Sequence, residues 1–134
     1  MTRRRTKEWW HEGKTHKQGK EIIRQVAKKR GCACREEEQF PVDLGDVFPE
    51  LWPKHSYRSY QADLLIEKRR GHSIYQVIAE VDGGYHTDIN QIRDDSRRDL
   101  AISLKYGIKV VRFRKMELVR GEITEEEIAR RLGI

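Results

Sequence analysis

The sequence lacks long apolar runs. No stretch of about 18 consecutive apolar residues occurs in the 134-residue chain, and we therefore expect no membrane-spanning helix. The basic N-terminus, MTRRRTKEWW, lacks both the apolar core and the small-residue cleavage site of a secretory signal. These absences favour an intracellular, cytoplasmic protein with no membrane partner.

Cysteine is also scarce, with only Cys32 and Cys34 in the chain. A single intervening residue does not suit disulfide geometry, and an intracellular protein would keep both thiols reduced. Together with His11 and His16 they could form a zinc site, although the CxC spacing differs from the usual CxxC knuckle. Two small, partly buried thiols are the favoured interpretation.

Hydrophobic residues make up 37% of the chain and charged residues another 37%. This balance predicts one compact domain with a modest core and a heavily charged surface. Residues 1–35 hold twelve Lys and Arg against three acids, whereas residues 36–134 hold sixteen against nineteen. The net charges of these parts are therefore +9 and −3, which separates a basic N-terminal region from a mildly acidic body.

We interpret residues 1–16 as a flexible basic arm and residues 17–134 as a single domain. A basic arm beside an acidic body suggests contacts with nucleic-acid phosphates, and a solubilising tail is the alternative. The residues expected to contact phosphate are Arg3, Arg4, Arg5, Lys7, Lys14 and Lys17.

Hydrophobic periodicity predicts an α/β fold with the element order α-β-β-β-α-β-α. The predicted helices cover 17–30, 92–106 and 124–132, and the predicted strands cover 36–44, 59–67, 74–82 and 108–113. A hairpin followed by a crossover helix and a fourth strand implies a mixed four-stranded sheet flanked by helices. The apolar character of the last strand suggests a buried position.

Three carboxylates fall within or at the end of predicted strands, where unpaired charge is costly. Asp63 lies inside the second strand, and Glu80 and Asp82 end the third. Strand alternation places Glu80 and Asp82 on one face, and an in-register hairpin would bring Asp63 towards them. Converging carboxylates repel unless a cation lies among them, and hard oxygen ligands suit Mg²⁺ or Mn²⁺. The alternative is that each acid is an edge residue paired with an arginine.

Asp63, an intervening hairpin and Glu80-x-Asp82 resemble the signature of the PD-(D/E)XK, or restriction-endonuclease-like, nuclease superfamily. EVDGGYH (80–86), QIRDDSRRDL (91–100), Gly107 and VVRF (110–113) resemble one branch of small uncharacterised proteins related to very-short-patch repair endonucleases. The resemblance covers about residues 20–115. It implies a restriction-endonuclease-like core and metal-dependent hydrolysis of DNA.

The resemblance also implies a metal shell of Asp63, Glu80 and the Val81 backbone carbonyl, with Glu21 on the first helix beside it. A metal held in this way lowers the pKa of a bound water and offsets charge on the scissile phosphate. Glu21 as an ordinary solvated helix residue is the alternative.

Two positions depart from the family pattern. Ala62 replaces the proline before Asp63, and Asp82 replaces the lysine of the motif. Asp82 is common there in the resembling branch, and His86 could orient the nucleophile or protonate the leaving group. A surface role for His86 is the alternative.

Further candidates follow from position alone. Gln76 shares the strand face of Glu80 and could contact the site. On the crossover helix, Asp95, Arg98, Asp99 and Ile102 form one stripe, opposite Leu100 and Leu104. A charged outer face with internal ion pairs is the alternative for that stripe.

The sequence thus favours a Mg²⁺- or Mn²⁺-dependent DNA endonuclease. A catalytically inactive DNA-binding protein with the nuclease fold is the main alternative, because the motif lysine is absent. A zinc-stabilised interaction module is a third. We also expect a homodimer, since a small nuclease gains a second cutting site and more core by pairing.

Overall fold

The computed structural model describes residues 13–83 and 89–134, with the side chains of residues 90 and 91 left out. The helices are α1 (Lys14–Lys29), α2 (Leu44–Val47), α3 (Ile89–Tyr106), α4 (Lys115–Val119) and α5 (Glu125–Leu132). The strands are β1 (Ala33–Glu36), β2 (Gln39–Asp43), β3 (Tyr57–Gln61), β4 (Leu64–Arg70), β5 (Ser73–Asp82) and β6 (Lys109–Arg114). Within the described ranges, no helix combines the length and the apolar character that crossing a bilayer requires.

The main sheet has four strands in the order β1-β4-β5-β6. β1, β4 and β5 are antiparallel neighbours, whereas β6 runs parallel to β5 after the α3 crossover. The α/β class and the mixed four-stranded sheet with flanking helices are therefore confirmed. β6 is an edge strand with both central valines partly exposed, so its predicted buried position is wrong.

Two of the predicted strands are each divided between two sheets. The segment 36–44 breaks at Glu37, whose φ of 57° turns the chain from β1 into β2. The segment 59–67 breaks at Ala62 and Asp63, between β3 and β4. β2 and β3 form a separate antiparallel pair, and the Ala62 amide donates to the Glu38 carbonyl beside it. These breaks add a small second sheet that the hydrophobic pattern did not predict.

The main sheet is covered on both faces. α1 and α5 cover one face, where Ile23 and Leu132 pack with Leu64 and Val77. α3 covers the other, where Ile102 packs with Ile78. Because strand side chains alternate, the even-numbered residues at the end of β5 point towards α3.

The helix boundaries differ modestly from the predicted ones. α1 begins at Lys14, directly after Gly13, so the last three residues of the predicted arm belong to the domain. α5 begins as predicted, with the Thr124 hydroxyl accepting a hydrogen bond from the Glu127 amide at 3.1 Å. α4 was not predicted.

The orientation of α3 is the reverse of the usual one. Leu100 and Leu104, on the side opposite the charged stripe, are 49% and 61% exposed, whereas Ile102 is only 1% exposed, so the alternative of a charged outer face is wrong. The stripe that contains Asp95, Arg98 and Ile102 faces the protein. Its charged members find partners on the sheet, which allows this polar face to pack inward.

Candidate active site

The end of β4 brings two of the predicted acids together. β4 and β5 pair with Leu64 opposite Ala79, so the next position along places Asp63 opposite Glu80. The Asp63 amide donates to Glu80 Oε2 at 2.7 Å, and the Val81 amide donates to Asp63 Oδ2 at 2.8 Å. Because the chain leaves the sheet at Ala62, each carboxylate accepts from an amide that has no strand partner there. Asp63 thus lies at a strand break, and its predicted place inside a strand is wrong.

Glu80 is a buried carboxylate with an unusual ionisation. Its side chain is 6% exposed, and one of its oxygens lies 2.6 Å from an Arg98 guanidinium nitrogen. Burial, and then the negative charge of Asp63, raise the pKa of Glu80 to about 7, while Arg98 opposes this rise. A carboxyl with a pKa near neutrality next to a second carboxylate is typical of functional sites.

The pKa of Asp63 is shifted in the opposite direction to that of Glu80. Burial alone would raise its pKa, but the hydrogen bonds from His16 and Val81 and the charge of Lys20 hold the pKa below its ordinary value. His16 Nε2 lies 3.4 Å from Asp63 Oδ2. The two adjacent acids therefore have pKa values moved apart, which is the pattern of an acid–base pair.

His16 and Lys20 were not predicted as neighbours of the acids. They stand four residues apart on α1 and therefore share the helix face that meets Asp63. Lys20 is 5% exposed, and its ammonium lies 3.3 Å from Glu36. The sequence feature that could have indicated them is a histidine and a lysine four residues apart on the first helix. His16 had been considered only as a zinc ligand.

Asp82 points to the α3 side of the sheet, as strand alternation predicts, but it has a separate partner. Arg112, on β6, donates to Asp82 at 3.0 Å and holds Asp99 with two nitrogens at 2.8 and 2.7 Å. Asp95 lies 3.8 Å from the same guanidinium. Burial works against it, yet the hydrogen bonds and charge of Asp99 raise the pKa of Arg112 further above its ordinary value. Glu80 and Asp82 each pair with an arginine, as the alternative interpretation of the three acids predicted.

Two predicted site residues lie elsewhere. Glu21 contacts Arg24 at 2.8 Å and Gln25 at 2.6 Å on an exposed part of α1. It is one position, or about 100°, beyond Lys20 on the helix, so it faces away from Asp63. Gln76 donates to Glu67 at 2.9 Å. It is four residues, or about 13 Å of strand, from Glu80, so the predicted contact is wrong.

Other predicted residues lie outside the described ranges. These are His86 and the arm residues Arg3, Arg4, Arg5 and Lys7, together with His11 of the predicted zinc group. Cys32 and Cys34 are unpaired thiols of intermediate exposure. In the described part of the chain, no group of three metal-ligating side chains includes either of them. The described members of the zinc group are therefore not brought together.

The acidic pair was tested as a site for a hard divalent cation. In a strand the N–H and C=O of one residue point to the same side, so the Val81 carbonyl faces Asp63 as its amide does. Asp63, Glu80 and this carbonyl are oxygen donors, and Mg²⁺ commonly takes one or two carboxylates and keeps several waters. The donor set fits, provided that Arg98 releases the Glu80 oxygen that it holds.

A different group has three ligating side chains within reach of one another. It consists of Asp43, Asp46 and His55. The Asp43 carboxylate already accepts from the Gly45 and Ser56 amides at 2.9 Å and contacts His55 at 2.6 Å. These contacts cap a turn at the start of α2, which explains the cluster without a metal.

Two hollows contain the cations that act on the acidic pair. The α1 hollow is lined by Lys14, Lys17, Gln18, Lys20, Glu21, Arg24, Glu36 and Glu37. The α3 hollow is lined by Leu44, Trp52, Arg58, Tyr60, Asp94, Asp95, Arg97 and Arg98. Lys20 acts on Asp63, and Arg98 binds Glu80, so each hollow adjoins the acids through one of its cations. The fold and site together define an α/β protein in which the partly buried Asp63 meets the buried Glu80, with Lys20 and Arg98 as neighbouring cations.

Comparison of the chain with protein-family models, with curated proteins and with solved structures found no match. The geometry of the acids and of the two hollows is therefore what a functional assignment has to rest on.

Proposed function

We propose that the chain is a Mg²⁺- or Mn²⁺-dependent DNA endonuclease whose centre is formed by Asp63 and Glu80. The observation that carries this proposal is the hydrogen bond from the Asp63 amide to the buried carboxylate of Glu80, whose pKa burial and the charge of Asp63 raise to about 7. Two adjacent carboxylates of this kind favour a cation, because a divalent charge offsets both the cost of burying the Glu80 charge and its repulsion by Asp63. A cation bound there would activate water for attack on the phosphodiester and offset charge on the phosphate.

Three side chains assist the pair in this proposal. His16 fixes the orientation of Asp63 through its contact at 3.4 Å. Lys20 supplies a positive charge beside Asp63, and it takes the part of the motif lysine that Asp82 cannot take. Arg98, which now holds Glu80, would be free to contact the phosphate if a cation took its place at the carboxylate. Its Nε atom is buried with no hydrogen-bond partner in the described ranges, so the guanidinium has a donor to spare.

The two hollows provide cations for the nucleic-acid backbone. Lys14 and Lys17 lie with Lys20 in the α1 hollow, and three arginines line the α3 hollow. Phosphate contacts from such side chains supply most of the salt-dependent affinity for DNA.

The test is a panel of labelled DNA structures incubated with Mg²⁺, Mn²⁺ or EDTA. Asp63→Asn and Glu80→Gln should each lower the cleavage rate by at least about a hundredfold, since each removes a charged metal ligand. Glu67→Gln is the matched control, because Glu67 lies on the same hairpin and pairs with Arg35 far from the site. Cleavage at the wild-type rate by both site variants would refute the proposal.

The second candidate is a DNA-binding protein that keeps the fold without the chemistry. The observation in its favour is that Arg112 holds Asp82 at the position of the motif lysine. This candidate predicts salt-sensitive DNA binding, no cleavage with either metal, and no calorimetric signal for Mn²⁺. Calorimetry with Mn²⁺ on the wild type and on Glu80→Gln separates the two candidates.

A homodimer is part of the proposal, and α3 is its proposed interface. Ile89, Ile92, Leu100 and Leu104 are 47% to 69% exposed and follow one another along the outer side of the helix. The 18-residue helix is about 27 Å long, which matches the width of a patch of about 800 Å² per partner. Leu100→Glu should convert a dimer into a monomer in light scattering. Leu51→Glu, at a leucine of similar exposure outside α3, should not.

A further inference from the structure

The α3 hollow contains an arrangement of aromatic rings and arginines that the cleavage chemistry does not use. It has a volume of about 380 Å³, and Arg98 in its lining contacts Glu80. Trp52 is half-buried, and its ring is held against Phe48 at 5.9 Å between centroids. The Arg97 guanidinium lies 5.6 Å from the Trp52 ring, and that of Arg98 lies 5.4 Å from the Tyr60 ring. The rings are therefore supported from behind and bordered by positive charge.

We propose that the α3 hollow binds one unpaired nucleobase of a single-stranded segment, next to the phosphodiester held at Asp63 and Glu80. This inference rests on the proposed function, and it names the class of substrate. Aromatic side chains accept the flat face of any base, and arginines add a cation–π contribution. A half-buried tryptophan in a hollow lined by three arginines combines both features.

The charged residues of the hollow suit the other parts of a nucleotide. Arg58 is exposed at the rim, where its guanidinium can meet a phosphate. Asp94, also exposed, offers carboxylate oxygens to the amino groups on the edge of a base. In a duplex the Watson–Crick edges are paired and the base faces are stacked, so a base that stacks on Trp52 and meets Asp94 with its Watson–Crick edge is an unpaired one.

The size and position of the hollow point to the same occupant. Its volume lies near the lower end of the range of about 300–1,000 Å³ for pockets that hold small molecules. Such a space suits one nucleotide and cannot take a base pair together with both of its strands. Arg98 links the hollow to the acids, since it contacts Tyr60, the Gln61 carbonyl and Glu80. A base bound in the hollow would therefore have its own phosphate beside the acidic pair.

The experiment is a fluorescence-anisotropy titration of the whole chain in EDTA, where no strand is cut. The probes are labelled oligo-dT, oligo-U and a blunt DNA duplex. We expect a single strand to bind more tightly than the duplex, with the oligo-U arm showing which sugar is preferred. Trp52→Leu should weaken single-strand binding roughly 5- to 150-fold, the usual effect of losing one stacked base.

Three further variants guard against a folding artefact. Trp52→Phe keeps an aromatic ring and should retain most of the affinity. Arg58→Gln changes an exposed side chain and should reduce the salt slope by about 0.7. Arg69→Gln is the matched charge control, because Arg69 is exposed at the far end of β4, about 20 Å along the strand from Asp63.

Tighter binding of the duplex than of either single strand would overturn the inference. So would equal affinities for Trp52→Leu, Arg58→Gln and Arg69→Gln. Because binding is measured without metal, loss of the nuclease proposal leaves this test intact. Conversely, metal-dependent cutting of duplex DNA that is unaffected by Trp52→Leu would support the nuclease proposal and refute the proposal that the α3 hollow binds a base.

Discussion

Ionisation of Glu80 should cost the folded protein stability, and replacement of Glu80 by glutamine should remove that cost. Burial and the neighbouring Asp63 raise the pKa of Glu80 from 4.5 to about 7. Between these values the folded protein binds a proton more tightly than the unfolded chain does. The free energy of unfolding therefore falls as the pH rises through this window. At 1.36 kcal/mol for each pH unit, the full loss is on the order of 3 kcal/mol, and about 2.5 kcal/mol of it falls between pH 5 and pH 8.

Guanidinium unfolding of the wild type and of Glu80→Gln at pH 5, 6, 7 and 8, in EDTA, measures this effect. The difference between the two proteins isolates Glu80, because the other titrating groups are common to both. The ion pair with Arg98 forms only when Glu80 ionises, and its effect is already contained in the pKa of about 7. From pH 5 to pH 8 the free energy of unfolding of Glu80→Gln should therefore rise by about 2.5 kcal/mol relative to that of the wild type. This corresponds to about 8 °C in melting temperature.

A divalent cation should restore the free energy of unfolding that the wild type loses as the pH rises. At pH 8, Mn²⁺ at a hundred times its dissociation constant should stabilise the wild type by about 2.7 kcal/mol. Glu80→Gln should gain much less, whereas Glu67→Gln should behave as the wild type does. A difference between wild type and Glu80→Gln that stays flat from pH 5 to pH 8 would refute the reasoning, because it would mean that burial and Asp63 do not raise the pKa of Glu80.

Three other substitutions have definite expected outcomes. Arg98→Gln removes the cation that favours the ionised form of Glu80, so the same unfolding series should show its transition at higher pH; an unchanged midpoint would contradict the pairing. His16→Ala should raise the pKa of its aspartate partner in an NMR titration of the carboxyl carbon, because a hydrogen bond to the charged form is lost. Gly19→Ala would bring a methyl group within 3.0 Å of a β5 valine, and it should cost about 1–3 kcal/mol in thermal melts. Gly13→Ala meets nothing within 4 Å and is the control; equal losses for both alanines would argue against close packing of α1 on β5.

Local patterns in the sequence were sufficient for several elements. The alternation of residues 74–82 and the cap at Thr124 predicted β5 and α5 closely, because both signals are confined to neighbouring residues. The facing of Asp63 and Glu80 also followed from the sequence, since a hairpin with a short turn has few possible registers. This part of the candidate site needed no information about distant segments.

Other features depend on contacts between segments far apart in sequence. The chain leaves the main sheet at Ala62 because the Glu38 carbonyl, directly before β2 of the small sheet, accepts from the Ala62 amide. The partner of Asp63 on α1 is His16 instead of Glu21, because helix packing selects one face of the helix. Neither contact can be predicted from the local sequence patterns that indicate strands and helices.

α3 shows most clearly which features the sequence determines and which depend on the tertiary structure. The sequence by itself determined that this segment is a helix with a charged stripe on one side and leucines on the other. Only the tertiary structure decided which side faces the protein. The charged stripe packs inward because Glu80 and Arg112 on the sheet neutralise Arg98 and Asp99. Burying charge is costly unless an opposite charge meets it, and that partner is supplied by strands distant in the chain.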